Sequence, residues 1–159
     1  MGEQREHPAV IGLLIGVTRK MIDSAIAFEV AASEARNFSY YAVLEQRASE
    51  RRLVATRFQS LLRSLGHRPP LRGTFMALAR RVIGRILHRL FANEAIIIGL
   101  FNRAEEKSVA SFEELLNHRD ISERTRAVIE HEYKSVSDGY IMFQELEAEL
   151  THRNLGGDW

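Results

Sequence analysis

The sequence predicts an all-α fold, an antiparallel four-helix bundle, on three observations. Apolar residues recur in alternating steps of three and four along most of the chain, the period of one helix face. No stretch shows a strand pattern, and the three prolines fall only at positions 8, 69 and 70, leaving the long segments between them free of helix breakers. With 159 residues and 45% hydrophobic content, the chain is read as one domain, residues 1–159 with a core at about 9–150, large enough to bury an interior without disulfides.

Between Pro8 and Phe38, the residues Leu14, Val17, Met21, Ala25, Phe28, Ala32 and Ala35 mark a first helix. Asn37 to Ser39 forms a break, and Ser39 or Asn37 is available as an N-cap for a second helix from about Tyr40 to Leu65. That helix carries Leu44, Ala48, Ala55, Phe58, Leu62 and Leu65 on one stripe and stops at Gly66. A loop follows over Gly66 to Gly73. Residues 74–91 then read as a shorter amphipathic crossover helix, with Phe75, Leu78, Val82, Ile86 and Leu90 opposing Arg80, Arg81, Arg85 and Arg89.

A third helix starts near Asn93, with the seam Glu94, Ile98, Phe101, Glu105, Ser108, Phe112, Leu115. After a short break at Asn117 to Ser122, Ser122 caps a fourth helix with the seam Thr125, Ile129, Glu132, Val136, Gly139, Phe143, Leu146, Leu150. The tail from Asn154 to Trp159 is expected to fray. Short loops make the first pair of helices and the last pair two antiparallel hairpins. The long connection between the second and third helices lets the chain cross to another edge, which is the ferritin-like layout.

The chain has no cysteine, which removes a disulfide scaffold, a thiolate metal site and a cysteine nucleophile. The polar start MGEQREHP and the short apolar run Ala9 to Val17 argue against a signal peptide or a spanning helix, so a cytoplasmic location is expected. A net charge of +1 conceals a strong segregation: residues 1–50 carry −2, residues 51–93 carry +10 with no acid at all, and residues 94–159 carry −7. All ten cations of the middle segment are arginine.

Glu105 and Glu132 occupy seam positions that their helices otherwise fill with apolar or small residues. A buried carboxylate needs an arginine, a proton or a metal ion. Counting outward from residue 119 puts the two at nearly the same height, and counting from residue 39 or 40 does the same for Glu29 and Glu50. One glutamate from each of four helices at one level is the ligand arrangement of di-iron and di-manganese bundles, so Glu29, Glu50, Glu105 and Glu132 form a candidate centre for iron or manganese, with Tyr133 or Tyr140 as nearby phenols. The competing reading satisfies these carboxylates with Arg47, Arg51, Arg103 or shared protons. Glu-x-x-His pairs would require histidine at positions 53 and 135, where the chain has Leu53 and Ser135, and His131 is read as a surface residue. No reaction is assigned, and an oxygen-using di-iron oxidase is disfavoured by the lack of imidazole ligands.

The runs Ala48-Ser-Glu-Arg-Arg52, Leu65-Gly-His67, Asn102-Arg-Ala-Glu-Glu106 and Glu130-His-Glu132 resemble, in order and spacing, a bacterial family of short ferritin-like bundles classed as a domain of unknown function, over roughly residues 17–147. The resemblance implies an acidic pair with arginine on the second helix, matched by Glu50 and Arg51. It also implies an Arg-x-Glu-acidic run on the third, matched by Arg103, Glu105 and Glu106. The helix-four histidine it implies is replaced by Tyr140. A more distant similarity, to quinone-hydroxylating di-iron bundles, rests on hairpin layout alone.

The crossover helix at 74–91 suits three roles: covering the bundle, pairing with the acidic C-terminal half of a second copy in a homodimer, or contacting an anionic membrane surface. No nucleic-acid reading motif is present, and none of that class of partner is expected. The alternative to a metal protein is therefore a non-catalytic interaction module.

Overall fold

The computed structural model describes residues 5–35, 38–74, 84–85, 88 and 94–156. Four α-helices account for nearly all of them: α1 (Pro8–Glu34), α2 (Phe38–Ser64), α3 (Glu94–Leu116) and α4 (Glu123–Leu155). Among the described residues there is no strand.

Three of the described helix ends have a clear local chemical cause. Pro8 opens α1 at a position where its missing N–H costs nothing, and the His7 side chain caps the turn by accepting from the Ala9 N–H at 3.2 Å. Ser122 caps α4 as expected, its hydroxyl oxygen accepting from the Thr125 N–H at 3.2 Å. Gly66 ends the helical turn after α2 at φ 79°. There the His67 N–H reaches back to the Leu62 carbonyl at 2.9 Å and the Gly66 N–H to Arg63 at 3.0 Å, with Pro69 and Pro70 following. The expected Ser39 cap is not one: α2 already begins at Phe38, and Asn37 lies outside the described residues. The expected crossover helix lies mostly outside them too, as does Asn93; within it only Thr74, Gly84, Arg85 and His88 are described. The fourth helix persists to Leu155, past the point where fraying was expected.

The packing order follows from which helices touch. The α1/α2 and α3/α4 hairpins each pack along their length, and they meet through α1 against α3 and α2 against α4. One end of the bundle is built from early α1, late α2, late α3 and early α4, including Leu14, Phe58, Phe112 and Ile129. The other takes late α1, early α2, early α3 and late α4, including Phe28, Leu44, Phe101 and Phe143. Neighbours are thus antiparallel all round, and α2 and α3 run parallel across the diagonal. α2 therefore ends at one end of the bundle and α3 begins at the other.

These ends are two separate apolar clusters. At one, Phe58 and Phe112 approach to 5.5 Å between ring centroids; at the other, Phe28 stacks on Phe101 at 4.7 Å and on Phe143 at 5.6 Å. Each fully buried large side chain contributes roughly 1.5–3 kcal/mol. Between the clusters, the buried positions are Ala25 on α1, Arg51 on α2, Glu105 and Ser108 on α3, and Gly139 on α4. A polar layer therefore divides the interior.

Candidate functional site

The centre of this layer is an ion pair with both members out of water: Arg51 is 0% and Glu105 1% exposed, and Arg51 Nη2 donates to Glu105 Oε2. Arg51 reaches the interior because it falls on the apolar stripe of α2, between Ala48 and Ala55. Its guanidinium needs volume, and α4 provides it by having no side chain at Gly139. A Cβ there would stand 3.0 Å from Arg47 Nη1, 3.0 Å from Arg51 Nη2 and 3.1 Å from Glu105 Oε2.

Arg47 flanks the pair. It donates from Nη1 to Glu50 Oε2 at 2.5 Å and from Nη2 to the Met142 sulfur at 3.4 Å. Burial pushes the Glu105 carboxyl above its ordinary range, opposed by the charges of Arg51 and Arg47 and assisted by that of Glu50. Within the layer, Arg51 Nε and Nη1, Arg47 Nε and Glu105 Oε1 have no hydrogen-bond partner among the described residues.

The other glutamates singled out from the sequence each have an arginine of their own. Glu29 is held by Arg52 Nε at the half-exposed edge of the α1/α2 hairpin. Glu132, 3% exposed, accepts from Arg57 Nη1 at 2.6 Å, beside a groove of about 630 Å³ between α2 and α4. Exposed His131 comes no closer to Glu132 than 3.9 Å. Arg47, Arg51, Arg52 and Arg57 all lie on α2, so one helix supplies a cation to carboxylates on α1, α3, α4 and itself. Arg47 and Arg51 were expected as partners, whereas Arg52 and Arg57 were not. Arg103, also expected, forms no ion pair among the described residues.

The structure brings Glu50 and Glu105 together around Arg47 and Arg51, and places Glu132 elsewhere. Glu105 sits level with Gly139, about two helical turns beyond Glu132, so the equal height expected from counting is not met. Cα–Cβ bonds lean toward the N-terminus of their own helix, which carries Glu105 away from the α3/α4 loop and Glu132 toward it. The phenols also turn elsewhere: Tyr133 donates to Glu113 at 2.9 Å, and Tyr140 accepts from Gln144 at 2.9 Å. Among the described residues, no three His, Asp or Glu side chains gather as a metal-binding group. As arranged, the four carboxylates do not offer the shared free oxygens that a metal pair requires, and a divalent ion beside Glu105 would meet two guanidinium groups.

Fold and site together define an all-helical four-helix bundle with an arginine–glutamate layer through its middle. The chain belongs to the family described as Domain of unknown function (DUF2383), whose model matches residues 9–118. That span covers α1, α2, α3 and the start of the next loop; the resemblance read from the sequence had extended to residue 147. No curated protein and no solved structure matches the chain. Among the described residues, no helix is long and apolar enough to cross a membrane.

Proposed function

We propose that the chain is a ferritin-like bundle in which arginine has taken the interior place of a metal centre, and that it serves as a non-catalytic interaction module docking on an anionic surface. The observation that carries this is the distribution of arginine. Those of α2 that face carboxylates, Arg47, Arg51, Arg52 and Arg57, are committed to ion pairs, while Arg63, Arg68 and Arg72 beyond them are exposed and form no ion pair among the described residues. Residues 51–93 hold ten arginines and no acid, and of these Arg51, Arg52 and Arg57 are paired with glutamates of other helices. A carboxylate already paired with a guanidinium has little to gain from a metal ion, which weighs against iron or manganese at Glu29, Glu50, Glu105 and Glu132.

Flotation of the purified chain with vesicles tests the reading. The protein is expected to rise with phosphatidylglycerol-containing vesicles, to stay behind with pure phosphatidylcholine, and to release as salt is raised. Metal analysis of protein prepared without chelator is expected to give sub-stoichiometric iron and manganese, with no rise in melting temperature on adding either. A stoichiometric metal with a stability gain, together with no lipid-dependent flotation, would reverse the assignment. Self-association through the acidic residues 94–159 of a second copy would instead appear as a concentration-dependent mass in light scattering.

A further inference from the structure

Beyond the cap at Gly66, the chain forms a loop whose shape is fixed by several independent ties. Pro69 and Pro70 restrict its backbone, Gln59 Nε2 donates to the Pro70 carbonyl at 3.0 Å, and the Thr74 N–H donates to Asp23 Oδ2 at 3.0 Å. Gly73 lies so close to the Asp23 carboxylate that no Cβ would fit between them. Held in this way, the loop borders an open surface hollow of about 560 Å³ beside α1.

The cavity is lined by Arg19 of α1 and by Arg68 and Arg72 of the loop, and the Asp23 carboxylate stands behind Gly73 and Thr74 at its edge. All three arginines are exposed, and none forms an ion pair among the described residues. Three arginines stand against the single Asp23 carboxylate, which already accepts from the Thr74 N–H, so the lining keeps a cationic excess. A guanidinium fork matches the oxygens of a phosphate, and a loop already ordered loses little freedom on binding one. At the tip, between Arg68 and Arg72, stands Leu71, 69% exposed. A phosphate-binding cavity with an apolar side chain projecting beside it fits the boundary between lipid headgroups and acyl chains, where charge and apolar surface are both satisfied. The chain leaves this loop directly into residues 74–93, which carry four more arginines and no acid.

We propose that the Arg19–Arg68–Arg72 cavity binds the headgroup phosphate of an anionic phospholipid, with Leu71 entering the acyl boundary. The proposal rests on the anionic-surface reading above and names the place where contact is made. Each arginine near an anionic membrane surface is worth about a fivefold change in partitioning.

The test compares four full-length proteins in flotation with phosphatidylglycerol-containing vesicles: wild type, R68Q/R72Q, Leu71→Ser and R119Q/R153Q. The last removes the same net charge from exposed positions outside the cavity. Unchanged melting temperatures establish that the variants fold. R68Q/R72Q is expected to lose about 25-fold in partitioning, Leu71→Ser to weaken binding at every salt concentration, and R119Q/R153Q to change it much less. If wild type floats and R68Q/R72Q behaves like R119Q/R153Q, the cavity assignment fails while the anionic-surface reading stands. If wild type does not float, both fail. If inorganic phosphate at constant ionic strength protects Arg68 and Arg72 from a guanidine-modifying reagent and vesicles do not, the ligand is free phosphate and the membrane assignment is overturned.

Discussion

Removing the guanidinium of Arg51 strands the Glu105 carboxylate in a low-dielectric interior, and this asymmetry decides how the pair responds to substitution. Arg51→Met is expected to cost about 3–5 kcal/mol, whereas Arg51→Met/Glu105→Leu, which replaces both charges with apolar groups, is expected to regain most of that loss. Urea denaturation of the two variants is the measurement; equal losses would mean that volume, not charge, governs the site. Gly139 has a matching prediction. A methyl there gains about 1 kcal/mol of helix propensity but presses on Arg47, Arg51 and Glu105 at 3.0–3.1 Å, so Gly139→Ala is expected to be net destabilising by about 1–2 kcal/mol. Gly12→Ala, with nothing within 4 Å of its Cβ, is expected to stabilise by up to about 1 kcal/mol in the same assay. Much of this layer is legible in the residues. Glu105 and Glu132 betray themselves on apolar seams, and the steps Leu44, Ala48, Arg51, Ala55, Phe58 pass through the arginine that answers Glu105. Arg52 and Arg57 lie off that stripe, so their carboxylate partners emerge only from the packing of neighbouring helices.

At the scale of the helix, termini are the most readable features because they depend on local chemistry. Ser122 and Gly66 act as cap and stop in the manner their residue types imply. Gly66→Ala forces a Cβ into the left-handed region at φ 79°, and a loss of about 1–2 kcal/mol in denaturation is expected. A neutral result would indicate that the turn relaxes to another geometry. Relative heights are less readable, since residue counting assumes side chains that stand at right angles to the axis. The slanted Cβ bonds of antiparallel neighbours separate Glu105 from Glu132 by far more than the count suggests. His7 illustrates a different gap: histidine is an uncommon cap, and its role follows from the turn that Pro8 starts.

Across the whole molecule, Glu6 ties the first helix to the last. Its carboxylate accepts from the Ser122 N–H at 3.1 Å and the Ser122 hydroxyl at 2.5 Å, while that same hydroxyl oxygen caps α4. Burial pushes the Glu6 carboxyl up, but hydrogen bonds from the Ser122 hydroxyl and from the Ser122 and His7 N–H groups hold it below its ordinary value. A depressed acid contributes stability above its unfolded pKa and loses it as pH falls through the folded one. Glu105, displaced upward, has the opposite sign, its contribution fading as pH rises through its folded value. Glu6→Gln is therefore expected to flatten the acid limb of a stability–pH profile measured by denaturant titration; an unchanged limb would assign that limb to other carboxylates. The bundle itself, with two hairpins and a long connection, is legible from periodicity and proline placement. How the hairpins meet is not, because it depends on which faces remain apolar once the arginines of α2 find their partners.

The division of the interior by charge also sets the alignment of the helices. Apolar side chains tolerate sliding past one another, since leucine against phenylalanine is acceptable at many offsets. Arg51 tolerates almost none: one turn in either direction would drive its guanidinium into the packed apolar side chains of one cluster or the other, while Glu105 faced hydrocarbon. The polar belt thus works as a notch that lets the four rods assemble at a single offset.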